Sequence, residues 1–239
     1  MNSHVVFKCR AFDYRMLPRE RQPLEFFCDP NPEHGEPEET WPEHPLVEWL
    51  FDFPAARELI LQELNYSPKA QSRCQLTNPF IGNKNRKPGD VDVLIWEKTN
   101  PHEAAVIECK RTKVKVESFS SGDVNGLGNL EEGVTQANEL FGLGFHRTYL
   151  AILTIVQGRE RTKFNVLGRG MTDRQFKKIY RCSSFGELRS EIGIIFVEVV
   201  KPTSRSLLEM AQIGVVVDKR AIPRSQPSDL TNKIQSLCP

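Results

Sequence analysis

The stretch Pro88-Gly89-Asp90-Val91-Asp92-Val93-Leu94-Ile95-Trp96, followed after a polar EKTNPHE link by Ala104-Ala105-Val106-Ile107-Glu108-Cys109-Lys110, decides how the chain is read. Both apolar runs have strand composition, and the short polar link suits an antiparallel hairpin. Side chains alternate between the two faces of a strand. Asp90 and Asp92 therefore share one face, and Val91, Val93 and Ile95 share the other. On the second strand Glu108 and Lys110 share a face, while Ile107 and Cys109 point away. Pairing the strands brings two carboxylates beside one ammonium at the ends of apolar strands. Like charges gathered in a partly buried place repel. A divalent cation removes that conflict, and hard oxygen donors suit Mg²⁺ or Mn²⁺. Such an ion would polarise a phosphodiester oxygen and acidify water, and Lys110 would orient that water or stabilise charge developing on phosphate. The competing reading is an ion pair across an exposed hairpin, which contributes little.

Outward from this hairpin, apolar periodicity predicts a helix from about Pro45, through Leu46, Val47, Trp49, Leu50 and Phe53 and on to Leu59–Leu64, interrupted at Pro54. Residues 72–77 read as a strand, and the Ser/Gly/Asn-rich stretch 118–130 as a loop. A helix is expected over 130–143, closed by Gly142 and Gly144. The continuous apolar run TYLAILTIV, 148–156, is a strand covered on both faces. Helices at 172–181 and 184–191 and strands at 193–200 and about 213–218 complete the pattern. The order predicts an α/β fold, a central mixed β-sheet flanked by helices. Three regions are expected: an irregular, acidic, Pro-rich segment 1–45 with a short strand over His4–Phe12; a domain over 46–222; and a polar tail over 223–239, mobile at least in part.

The segment GDVDVLI followed by an apolar strand ending in ECK resembles the core motif of the PD-(D/E)XK nuclease superfamily. The resemblance covers roughly residues 46–156 and implies a restriction-endonuclease-like core. It implies that Asp92 and Glu108 are metal ligands, that the Cys109 backbone carbonyl is a third oxygen donor, and that Lys110 is the catalytic lysine. An acidic residue from the helix before the sheet often joins the metal in this superfamily; Glu58 is preferred here over Glu63. Gln136, in VTQANELF, resembles the glutamine that some members carry on the following helix. Val91 stands where the family signature has Pro. Asp90, behind Gly89, is therefore the alternative first ligand; Asp92 is preferred because it directly precedes the apolar core of its strand.

Composition sets the wider limits. The chain has 239 residues, 39% of them hydrophobic and 26% charged, which suits a soluble globular protein. Its formal net charge is +1, so any nucleic-acid surface must come from local patches. Lys84, Arg86 and Lys87 form one basic group and Lys110, Arg111, Lys113 and Lys115 another, placed to contact phosphates on either side of the pocket; Arg159, Arg161, Lys163 and Arg169 would extend the track. Six scattered cysteines, without CxxC or zinc-finger spacing, read as reduced thiols. His34 and His44 fit no zinc motif and are read as loop residues. No P-loop glycine pattern is present, which argues against ATP use within this chain. The absence of a long apolar run and of a signal-peptide core argues for a cytoplasmic protein without a membrane partner.

The functional expectation is a Mg²⁺- or Mn²⁺-dependent hydrolase of phosphodiester bonds in DNA. A homodimer fits, since two cuts on a duplex need two sites. The rival expectations are a catalytically inactive nucleic-acid-binding module and a protein-interaction module of the same fold.

Overall fold

In the computed structural model, residues 24–27, 42–76, 90–114, 122–158, 173–181, 183–202 and 210–237 are described. The expected strand over His4–Phe12, most of the acidic segment, and Lys84, Arg86, Lys87, Lys115, Arg159, Arg161, Lys163 and Arg169 lie outside them. The elements are β1 (Leu24–Phe27), α1 (Glu43–Asp52), α2 (Pro54–Glu63), β2 (Gln71–Leu76), β3 (Val91–Glu97), β4 (Asn100–Val114), α3 (Leu127–Gly142), β5 (Arg147–Gly158), α4 (Asp173–Tyr180), a 3₁₀ turn (Ser183–Glu187), β6 (Gly193–Pro202), β7 (Met210–Lys219) and α5 (Ser228–Ser236).

The strands form one seven-stranded sheet in the order β1-β7-β6-β5-β4-β3-β2. β4, β5 and β6 run parallel in the centre. The outer pairs β2/β3, β3/β4, β6/β7 and β1/β7 are antiparallel. The expected mixed sheet flanked by helices is therefore present. Its parallel centre explains the unbroken apolar run in β5, where Tyr149 through Leu153 are all buried.

Strand alternation divides the apolar side chains between two faces. Val93, Ile95, Ile107, Ala151, Leu153, Ile195 and Val197 pack under α1 and α2. On the opposite face Leu150, Ile152, Ile194 and Phe196 meet Leu130, Val134, Ala137 and Phe141, the apolar stripe of α3. Leu94, Trp96 and Val106 meet Leu140, Phe145, Leu230 and Ile234 on that same side. Pro54 opens α2 and separates the two N-terminal helices. α1 then lies over β2, β3 and β4, whereas α2 lies over β7 and β1.

Three sequence expectations are corrected. The first boundary does not fall at 45/46: Leu24–Phe27 pairs with β7 as an edge strand, and α1 begins at Glu43. Pro45 is compatible with that earlier start because the N–H it lacks in the first turn has no intrahelical partner in any case. The tail is not loose: α5 buries Leu230 and Ile234, and Arg224 lies 3.9 Å over the Phe141 ring while donating to the Phe145 carbonyl at 3.1 Å. The hairpin link is also shorter than its polarity suggests, since Glu97 pairs with Asn100 across a bulge and His102 lies exposed within β4. Among the described residues no helix is long and apolar enough to cross a membrane.

Candidate functional site

The site forms where β3 and β4 part. Their ladder runs from the hairpin turn to Val93 opposite Ile107, and Asp92 is the next residue outward. There a carboxylate replaces the ladder: Asp92 Oδ2 accepts the Cys109 N–H at 2.7 Å. The next amide on the same edge of β4, that of Arg111, donates to Glu43 Oε2, also at 2.7 Å. Two backbone donors released by the fork are thus satisfied by two acidic side chains, one from the neighbouring strand and one from the first turn of α1. A residue's N–H and C=O leave a strand on the same edge, so the Cys109 carbonyl is directed to the opened edge as well.

Glu108 and Lys110 share the other face of β4, as alternation requires. Lys110 Nζ pairs with Glu108 Oε1 at 2.7 Å and with Glu43 Oε1 at 3.3 Å. Asp92, Glu108 and Lys110 are only 7%, 4% and 8% exposed, which rules out the reading of an ion pair on an exposed hairpin. Three carboxylates converge on one ammonium. Burial, and then the neighbouring Asp92 charge, push the Glu108 carboxyl up to about 8. Burial likewise raises Asp92 and Glu43, against the opposing pull of their hydrogen bonds and of Lys110. For Lys110 burial acts downward, but Glu108, Glu43 and Asp92 more than offset it and hold the ammonium above its ordinary value. The Cys109 thiol faces the apolar layer under α1, where burial holds it neutral.

Helix α3 covers this face. A Cβ at Gly133 would lie 2.3 Å from Lys110 Cγ, so the glycine is what lets the helix approach the lysine stem. Gln136 is one helical turn further on and half-buried, and its Oε1 is shielded without a hydrogen-bond partner among the described residues. Beyond Lys110 on the same strand, Thr112 is fully buried with its hydroxyl 2.7 Å from that of Thr154.

The structure brings together Asp92, Glu108, Lys110 and the Cys109 backbone, while Gln136 lies on α3, the helix that packs on the Lys110 stem at Gly133. It does not bring in Glu58. That residue is exposed on α2, which the break at Pro54 carries over β7 and β1. Glu63, the other candidate, is buried at the far end of α2, where its carbonyl accepts from Arg220 Nη1. Asp90 precedes β3 and is exposed, which leaves Asp92 as the carboxylate at the fork. Arg111, expected on a phosphate-facing surface, is 6% exposed and therefore not free to track a nucleic-acid backbone. The side chain of Lys113 lies outside the described residues.

Sequence reasoning missed Glu43 and His44. The ligand atoms of Glu43, His44 and Asp92 all lie within 4.8 Å of one another. Glu108 stands outside that trio, with Oε1 turned to Lys110. The available signal was an acidic residue directly before the apolar period of α1, the usual place for a carboxylate in a helical first turn. Comparison with protein-family models, with curated proteins and with solved structures gives no match.

Proposed function

We propose that this chain is a metal-dependent nuclease with a restriction-endonuclease-like core, hydrolysing phosphodiester bonds in DNA. The observation that carries the reading is the buried convergence of Asp92, Glu108 and Lys110 where β3 and β4 separate. The connection of the motif hairpin through α3 to a parallel β5 beside β4 supports the same core.

The donor set fits a hard divalent ion. It consists of carboxylates and a backbone carbonyl, and burial keeps these carboxyls protonated more readily than usual until a cation offsets their mutual repulsion. Asp92, Glu108 and the Cys109 carbonyl would hold Mg²⁺ or Mn²⁺, and Glu43 takes the helix position first expected for Glu58. When bound, the ion supplies Lewis acidity toward water and a phosphoryl oxygen. Lys110 stays protonated among its carboxylates, so its role is electrostatic: it donates to the attacking water or to oxygens of the phosphate as charge develops there. Glu108 and Glu43 fix the lysine by two ion pairs. Gln136 would position water or phosphate from α3, its Oε1 accepting from water or its amide N–H donating to phosphate.

The test is cleavage of plasmid and linear DNA with Mg²⁺ or Mn²⁺ by the wild type, Asp92→Asn and Lys110→Ala. Asp92→Asn keeps an acceptor for the Cys109 amide. Each variant should lose on the order of 10²-fold or more in rate, the scale of losing one electrostatic group. Undiminished cleavage by both would overturn the reading. Salt-sensitive DNA binding without product in either metal would instead make the fold a binding module.

A further inference from the structure

We propose that His44 is a nitrogen ligand at this site and that the Glu43–His44–Asp92 trio gives it a preference for a divalent transition ion over Mg²⁺. The proposal rests on the nuclease reading for the site and adds a donor that the motif does not contain.

The trio's donor atoms lie within 4.8 Å of one another, close enough to meet around one ion. Its placement is fixed from below. Leu46, Val47 and Leu50 are buried at 0–1% exposure and anchor α1 on the sheet. Glu43 ties the first turn of the helix to the Arg111 amide and to Lys110. His44 follows Glu43 in that turn and is exposed, so packing does not account for its position. Among the described residues no hydrogen bond or ion pair engages its ring, although a ring nitrogen lies within 4.8 Å of a carboxylate oxygen of Asp92. Asp92 uses Oδ2 for the Cys109 amide, and among the described residues no hydrogen bond engages Oδ1.

The chemistry separates two donor sets that share Asp92. Asp92, Glu108 and the Cys109 carbonyl offer oxygen alone, a set that Mg²⁺ accepts. Glu43, His44 and Asp92 add an imidazole, which binds first-row transition ions well and hydrated Mg²⁺ poorly. Affinity at the mixed set should therefore increase from Mg²⁺ through Mn²⁺ to Co²⁺.

Electron spin-echo spectroscopy on Mn²⁺ bound to the full chain, with calorimetric titration of Mn²⁺ and Mg²⁺, tests this directly. Bound Mn²⁺ should show ¹⁴N coupling that disappears in His44→Ala and persists in His102→Ala, the exposed histidine of β4. His44→Ala should weaken Mn²⁺ binding by about tenfold or more, on the scale of losses around metal ligands, and change Mg²⁺ binding by less than about twofold, as expected when imidazole is not a Mg²⁺ donor. Mn²⁺ that binds, is lost in Asp92→Asn and shows no nitrogen coupling would overturn the role of His44 and leave the nuclease site standing. Mn²⁺ that fails to bind the wild type, or binds unchanged in both Asp92→Asn and Glu108→Gln, would overturn both.

Discussion

At the scale of single residues, the site is a set of acids kept close together at a cost in stability. Glu108 is pushed up to about 8 from an ordinary value of 4.5, mainly by burial and then by Asp92. An acid whose folded pKa lies above its unfolded one binds its proton more tightly in the native state. The stability it contributes is complete below pH 4.5 and is lost as pH rises through about 8. Without divalent metal, the melting temperature should therefore fall between those limits, and Glu108→Gln should flatten the fall. Saturating Mn²⁺ should flatten it too, because an ion that binds the native state stabilises it more strongly as the carboxyls lose their protons and its affinity rises. Thermal melts at a series of pH values check this; a Glu108→Gln profile that overlays the wild type would show that the carboxyl is not under strain. Lys110 does not enter this window, since its raised value places its own titration above the ordinary lysine range.

At the scale of elements, two helices complete what the hairpin begins. α1 delivers Glu43 to the Arg111 amide across 68 residues of chain, and α3 lies against the Lys110 stem at Gly133. Glycine inside a helix is unfavourable by roughly 1 kcal/mol relative to alanine, so its presence at 133 marks a close approach. Gly133→Ala should displace Lys110, destabilise by about 1–3 kcal/mol as overpacking does, and, on the proposed nuclease reading, depress DNA cleavage. Gly128 is the internal control: a Cβ there meets nothing within 4 Å. Gly128→Ala should leave stability unchanged or raise it by up to about 1 kcal/mol. Urea denaturation of the two variants side by side distinguishes them, and equal effects would refute the packing account of Gly133.

At the scale of the whole molecule, the carboxyl-terminal helix is part of the fold rather than an appendage. Leu230 and Ile234 close the apolar layer over Leu94, Trp96 and Val106, strand residues on either side of the hairpin that leads to the fork. Gln226 adds a bond to the Pro101 carbonyl at 2.9 Å, and Arg73 donates to the Leu237 carbonyl at 3.0 Å. Ile234→Ala should destabilise by about 2–5 kcal/mol, the range for buried large-to-small changes. A measured loss below about 0.5 kcal/mol, the level of ordinary surface substitutions, would mean that α5 is not packed as described.

What the sequence determined by itself was local in origin. The two-residue period of strands placed Glu108 and Lys110 on one face, and the apolar core of β3 set Asp92 rather than Asp90 at its edge. The unbroken run of β5 announced a strand buried on both sides. Tertiary structure decided what depends on contacts far apart in the chain. It placed Glu43 rather than Glu58 beside Lys110 and the Arg111 amide, because Pro54 redirects α2 over β7 and β1 and α1 lies over β3 and β4. It buried Arg111 and, on the otherwise polar α5, Leu230 and Ile234. It also makes His44 a neighbour of Asp92 rather than a loop residue, since helix α1 starts at Glu43, before Pro45. Periodicity records which face a side chain takes, but not which distant segment will cover that face.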